Sequence, residues 1–358
     1  MDEDYAILVG ISWYPAGNFA ELSGPLNDVA LVEKWLGESG LLPCNIIKIT
    51  TPREIPADFD KYAAPPIADD FDHVFRAMLD RRMAMPDRVK GRLYLYFSGH
   101  GFSSKTQDRD AEGALYCANA TRIAYEHIFG THYARIAKAW ALFAQVVLIM
   151  DCCRDSEFIR TPTPRPYRDT PDDALSADVP LLSIYAAPKS GKAQERPIEE
   201  RGNKVHGLLT HALFKLLEEL PASSQRGIDA TELKARLLES WTEISGSNAA
   251  PRPEIYLPAN GTIYFSTKNK GSAVTFVWAE NAAPSNLQLI DSGAKIIGVF
   301  ALDDSGTFST TQNGPVLSYT REANAWTLRL TPGLYEYKHS DKEAISFRVA
   351  GGNRRVEL

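Results

Sequence analysis

Two short segments set a nucleophile and a base in matching positions. Ser98-Gly99-His100-Gly101 follows the run Leu93-Tyr94-Leu95-Tyr96-Phe97, and Asp151-Cys152-Cys153-Arg154-Asp155 follows Val146-Val147-Leu148-Ile149-Met150. Each preceding run is short, continuously apolar and rich in β-branched or aromatic residues, as a strand buried on both faces of a parallel sheet must be. A His and a Cys would then leave the ends of two such strands side by side. A cysteine thiol, with an ordinary pKa of about 8.5, is mostly protonated at neutral pH, and an adjacent imidazole can accept its proton or stabilise the thiolate. The chemistry in prospect is attack on a carbonyl by cysteine, with His100 handling the proton. Gly101 leaves room for a substrate backbone, and its N–H together with that of Cys153 would form an oxyanion hole.

Cys152 and Cys153 are both able to attack, but neighbours at a strand end face opposite sides, so only one can meet His100. Cys152 reads as a small buried hydrophobe under the sheet. Cys44, ahead of the strand-like Asn45-Ile46-Ile47-Lys48-Ile49, and Cys117, within Ala114-Leu115-Tyr116-Cys117-Ala118, read as structural too. Four cysteines in 358 residues, none at metal-ligand spacing, suggest neither a disulfide framework nor a metal site and fit a reducing cytosol.

These segments resemble the caspase and metacaspase superfamily of cysteine peptidases, most closely its bacterial caspase-like members. The resemblance extends through Tyr5-Ala6-Ile7-Leu8-Val9-Gly10-Ile11, Leu22-Ser23-Gly24-Pro25-Leu26-Asn27-Asp28, Leu181-Leu182-Ser183-Ile184-Tyr185-Ala186-Ala187 and Gly207-Leu208-Leu209-Thr210-His211-Ala212-Leu213, roughly the first three quarters of the chain. The separation of His100 and Cys153, 153 − 100 = 53 positions, is close to the roughly 50 of caspases. The resemblance implies that the nucleophile is the Cys of Asp-x-Cys, which is Cys153. Arg154-Asp155-Ser156 stands where metacaspases carry His, Ser and Gly, as in many bacterial relatives. It also implies a three-layer α/β/α sandwich around a mostly parallel six-stranded sheet, and a pocket for the residue before the cut lined by Asp28, Ser98 and Asp151. Two carboxylates there would favour Arg or Lys and repel an acidic side chain.

Between Cys153 and the strand near 180, residues 156–179 hold Arg160, Arg165 and Arg168 among four prolines, which predicts an exposed, mobile linker. In caspases the corresponding linker is cut on maturation, so the resemblance implies self-cleavage after Arg160 or Arg168; Arg165 precedes Pro166 and is a poorer site. Calcium is a cofactor of many metacaspases, but Asp108, Asp110 and Glu112 lack the spacing of a calcium loop, and no cofactor or metal is expected.

Strand-like segments near 5–11, 45–50, 92–97, 145–150 and 180–187 alternate with helical ones near 25–39, 69–84, 131–143, 206–220 and 229–243. Such alternation gives a parallel α/β sheet whose site lies at the carboxyl ends of its strands. His127, His132, His206 and His211 are expected on helices or loops, without a chemical role. Beyond residue 266 short strands separated by Pro332-Gly333 and Gly351-Gly352 predict an antiparallel β-sandwich, giving domains 1–266 and 267–358. That second domain is expected to pack as an appendage or to bind an activating protein.

The acidic start Met1-Asp2-Glu3-Asp4 leads straight into a strand, without the basic n-region and apolar h-region by which a secretory signal is read, and the longest apolar stretch, Ala137 to Met150, is too short for a bilayer and broken by Lys138 and Gln145. A net charge of −6 leaves no basic footprint for nucleic acid. The expectation is a cytoplasmic endopeptidase acting on protein substrates, with bacterial defence or cell-death signalling implied by family analogy alone. The alternative is a silent homologue serving as a binding scaffold.

Overall fold

The computed structural model describes residues 3–52, 59–84, 90–104, 113–157, 167, 173–220, 227–246 and 250–266, and, beyond these, 272–279, 286–294, 296–301, 308–310, 316–322, 325–330, 333–339, 343–349 and 354–358. The chain divides into two compact units, Met1–Leu216 with Ala230–Ile263, and Leu217–Asp229 with Tyr264–Leu358.

In chain order the elements are β1 (Tyr5–Gly10), α1 (Pro25–Glu38), β2 (Ile46–Thr50), α2 (Ala68–Met83), β3 (Arg92–Gly99), β4 (Gly101–Ser104), β5 (Gly113–Tyr116) and β6 (His127–Ile128). There follow α3 (Gly130–Ala139), β7 (Gln145–Cys152), β8 (Asp155–Glu157), α4 (Asp173–Asp178), β9 (Leu181–Tyr185), β10 (Glu195–Ile198) and β11 (Lys204–Gly207). Next come α5 (Leu208–Glu219), β12 (Ile228–Asp229), α6 (Ala230–Ser245), β13 (Glu254–Tyr256) and β14 (Tyr264–Phe265).

A six-stranded sheet of order β13-β9-β7-β3-β1-β2 organises the first unit. It is parallel throughout except where β13 runs antiparallel to β9, as the expected α/β fold requires. Of the four inner strands, β1, β3 and β7 are buried almost end to end, which is why their sequences are unbroken apolar runs in place of an alternation. On one face Phe71 and Phe75 of α2 and Tyr133 of α3 pack together, with Phe71 against Phe97 of β3. Both phenylalanines are fully buried, worth roughly 1.5–3 kcal/mol each. On the other face Trp35 of α1 meets Tyr94 of β3 and Phe214 of α5 edge-on.

A smaller sheet, β6-β5-β4-β8, continues from the ends of the two central strands. Here β4, which begins just after His100, pairs in parallel with β8, just after Cys153, in the register Phe102↔Asp155. The two segments are thereby tied to each other on both sides of the site. Neither this sheet nor the β10–β11 hairpin is expressed in the strand pattern, because two- to four-residue strands carry too little periodicity.

Other differences from expectation have local reasons. The segment after Cys153 is not loop throughout: residues 155–157 join β8, and 173–178 form α4. Tyr167 within it donates its hydroxyl to Asp72 Oδ1 at 2.7 Å. The helix expected from residue 206 starts at Leu208, since 204–207 pair with β10. Cys44 lies in a single 3-10 turn and is exposed, whereas Cys117 is buried as expected.

In the second unit β15 (Ser272–Val277), β16 (Asn286–Asp291), β17 (Ile296–Ala301), β18 (Phe308–Thr310), β19 (Val316–Glu322), β20 (Ala325–Leu330), β21 (Gly333–His339), β22 (Ile345–Val349) and β23 (Arg354–Glu357) form two sheets, ordered β19-β20-β15-β23 and β18-β17-β16-β21-β22. Their shared core includes Val274, Phe276, Leu289, Trp326, Leu328 and Phe347. The sandwich is not wholly antiparallel, because β23 adds to β15 in parallel. Among the described residues no helix is long and apolar enough to cross a membrane.

Candidate active site

Strands β3 and β7 run in the register Ser98↔Asp151 and Gly99↔Cys152, so the residues that follow, His100 and Cys153, emerge at one level. Both line a single pocket, together with Asp28, Ser98, Asp151 and Glu195.

His100 is held by the segment between β1 and α1. Its Nε2 lies 2.8 Å from the carbonyl oxygen of Ala20. A carbonyl only accepts, so Nε2 carries the hydrogen and Nδ1 keeps a lone pair for a proton. The ring is packed by Tyr14 and Phe19, with centroids 5.1 and 5.3 Å away. The His100 backbone N–H donates to the Tyr14 hydroxyl at 2.8 Å, and that hydroxyl donates to the carbonyl of Ile11.

Cys153 is half-buried, and its thiol points to the carbonyl of Ala193 at 3.8 Å. Burial pushes the thiol above its ordinary value, and the charges of Asp155 and Asp151 act in the same direction. Cys152 is 1% exposed, and burial raises its thiol far above the ordinary range, which disfavours the thiolate. It packs directly beneath Gly101: a Cβ there would lie 2.6 Å from Cys152 Sγ and 2.6 Å from the carbonyl of Ala114. The need for glycine at 101 is thus met by packing against Cys152, where the sequence suggested room for substrate.

Three carboxylates also line the pocket. Asp28, in the first turn of α1 and 1% exposed, accepts from Ser98 Oγ at 3.0 Å, from the Gly207 N–H at 3.1 and 3.2 Å, and stands 2.8 Å from His206 Nδ1. Asp151 accepts from the backbone and hydroxyl of Thr210 at 2.9 and 2.6 Å. Gly207 permits this crowding, since a Cβ at that position would fall 2.6 Å from the Asp151 carboxyl carbon. Burial raises Asp28 well above the usual carboxylate value; burial and the neighbouring Asp28 charge push Asp151 up to about 7. Glu195, on β10, accepts from the N–H groups of Ser23 and Gly24 at 3.0 Å each. These N–H groups lie at the start of α1, where a helix end favours negative charge.

Arg154 is 2% exposed. Its guanidinium pairs with Glu254 of β13, donates to Ser103 Oγ at 3.2 Å and lies over the Tyr185 ring at 4.2 Å. Its backbone exchanges hydrogen bonds with Gly191 and Ser190 at 2.8 Å each, anchoring the loop that carries Cys153. Its side chain is a strut under the site.

The structure therefore brings together Cys153, His100, Asp28, Ser98 and Asp151. Sequence reading missed Glu195, His206 and the Ala20 carbonyl. A backbone oxygen leaves no side-chain signal, and the other two come from a hairpin far along the chain. Arg160 and Arg168 lie outside the described residues, as do Asp108, Asp110 and Glu112. Among the described residues no group of three or more His, Cys, Asp or Glu side chains is placed to hold a metal ion, and all four cysteines are free.

A family model described as the caspase domain matches residues 3–240. No curated protein matches the chain. Among solved structures, a protein of Geobacter sulfurreducens is similar at 12% identity with a TM-score of 0.42, over 73% of this chain and 94% of that one.

Proposed function

The chain belongs to the caspase-domain family, and on that premise we propose that it is a cysteine endopeptidase that cuts protein substrates after Arg or Lys. What supports this most directly is the single pocket lined by Cys153 and His100 together with Asp28, Asp151 and Glu195. A guanidinium or ammonium group entering it would favour the ionised form of the two raised carboxyls, Asp28 and Asp151, and gain charge-assisted partners, whereas an acidic side chain would find no cation to pair with.

In the proposed reaction His100 Nδ1 takes the thiol proton as Cys153 Sγ bonds to the scissile carbonyl carbon. The backbone N–H groups of Gly101 and Cys153 receive the oxyanion. Collapse of the tetrahedral intermediate breaks the C–N bond, and the imidazolium returns its proton to the departing amine. Water, deprotonated by the same imidazole, then hydrolyses the thioester. The Ala20 carbonyl acts throughout by holding Nε2–H, so that Nδ1 presents the lone pair. In the resting protein the thiol is neutral and directed at Ala193, so the first step includes its turning toward His100.

Maturation by self-cleavage after Arg160 or Arg168, a cytoplasmic location, a partner for the β-sandwich and a role in bacterial defence or cell death complete the proposal at the level of family analogy. The test is turnover of fluorogenic peptides carrying Arg, Lys or Asp before the cut, with and without calcium. Cleavage after Arg or Lys that vanishes in Cys153→Ala and His100→Ala but survives in Cys152→Ala is the expected result. Cleavage after Asp would overturn the specificity, and silence toward every peptide would favour the scaffold alternative.

A further inference from the structure

His206 takes no part in the reaction above, yet its imidazole is buried against the carboxylate most deeply set in the pocket. The side chains of His206 and Asp28 are 4% and 1% exposed, and Nδ1 stands 2.8 Å from Oδ1 across 178 positions of sequence. We propose that His206 is a positioning residue for cation recognition: its neutral imidazole donates Nδ1–H to Asp28 Oδ1 and holds that carboxylate as an aimed anion. This rests on the basic specificity proposed above and extends it to a residue that touches no substrate.

Asp28 has two oxygens and three donors around them. Ser98 Oγ is bonded to Oδ2, the Gly207 N–H is shared between both oxygens, and His206 faces Oδ1 alone. Burial raises Asp28 well above the usual value against the Gly207 N–H and the Ser98 hydroxyl, which favour the anion, and an Nδ1–H donated by His206 to Oδ1 adds a third donor on the anion's side. Without His206, Oδ1 would keep only the shared Gly207 N–H, and the carboxyl would be freer to turn from an incoming guanidinium and harder for it to ionise. Chain geometry fixes the contact from both ends. His206 is paired with Arg196 in the β10–β11 hairpin, and the neighbouring rung of that hairpin, Glu195↔Gly207, carries a second pocket carboxylate and the N–H bonded to Asp28. The hairpin therefore sets two of the three carboxylates at once.

The imidazole remains neutral in this role. Burial lowers its pKa to about 4, and Arg201 and Lys204 oppose a further positive charge, outweighing the attraction of Asp151. A neutral ring donates through one nitrogen only, so the assignment predicts the Nδ1–H tautomer.

The experiment reads the binding of agmatine, a guanidinium probe that needs no turnover, by NMR titration of the full chain as wild type, His206→Asn and His206→Leu. A hydrogen bond to a charged group implies about tenfold weaker binding in His206→Leu. His206→Asn, whose amide can donate from nearly the same place, should stay within about threefold of wild type. Nitrogen-15 shifts of the His206 ring in wild type should show the Nδ1–H form, and Asp28→Asn should move them. Alkylation of Cys153 by iodoacetamide should proceed at the wild-type rate in both variants, which separates an effect on the pocket from a collapsed site. Equal agmatine affinity in wild type and His206→Leu, or an Nε2–H tautomer in wild type, would overturn the inference while leaving basic specificity standing. Wild type that does not bind agmatine would overturn both.

Discussion

Replacing Asp151 by Asn tests the charge of the pocket with the least disturbance of its shape. The side chain is buried, its Oδ2 accepts from the Thr210 N–H and hydroxyl, and the amide oxygen of Asn can accept both. What the variant loses is one negative charge facing the bound cation. A hydrogen bond to a charged partner contributes about 1.5–3 kcal/mol, which corresponds to about ten- to 150-fold in kcat/KM. The loss is expected for peptides with Arg before the cut and not for peptides with citrulline, its neutral isostere. Asp151 ionises at about 7, raised by burial and by Asp28, and only the ionised form pairs with guanidinium. In wild type kcat/KM toward Arg should therefore rise with pH through about 7, and Asp151→Asn should lack that limb. Stability has the opposite slope. A carboxyl raised from 3.8 in the unfolded chain to about 7 in the folded one contributes stability that is fully present below 3.8 and lost as pH rises through about 7. The shift of about three units is at most about 4 kcal/mol. Asp151→Asn should accordingly gain on wild type in urea unfolding above neutrality and lose that advantage in acid. Equal losses on Arg and citrulline peptides, or an unchanged acid limb in the variant, would refute the assignment of Asp151 as a cation partner.

Three further outcomes follow from neighbouring contacts. Arg154→Leu removes the guanidinium from Glu254, whose side chain is 35% exposed and can rehydrate, so the loss should sit near about 3 kcal/mol, the low end for breaking a buried pair. Urea midpoints will show it, and Glu254→Gln combined with Arg154→Leu should cost less than the sum of the two single changes. Tyr14→Phe strips the acceptor from the His100 N–H and should cost about 1–3 kcal/mol, with a fall in kcat larger than any change in KM. Gly101→Ala forces a methyl group against Cys152 Sγ and should destabilise by about 1–3 kcal/mol, readable as a lowered Tm.

The two central strands, and a His and a Cys at their ends, are legible in the residue pattern. Continuous apolar runs of strand length report burial on both faces, and the residue after such a run has one place to go, the carboxyl edge of the sheet. That Cys153 lines the pocket with His100 while Cys152 is buried agrees with the two-residue period of a strand. Short pieces are less legible. The β4–β5–β6–β8 sheet and the β10–β11 hairpin consist of two- to four-residue strands, which tertiary pairing stabilises more than local pattern does.

By itself, then, the sequence determined the α/β alternation, the placement of His100 and Cys153 at neighbouring strand ends, and two of the three pocket carboxylates, the last through family likeness. Only the tertiary structure decided which groups serve them. Glu195 meets the Ser23 N–H across 172 positions, His206 meets Asp28 across 178, and His100 meets the Ala20 carbonyl across 80. None of these follows from residue type or spacing. Each depends on where a hairpin or loop is carried by the packing of the elements around it, and a hydrogen bond forms or fails within a few tenths of an ångström.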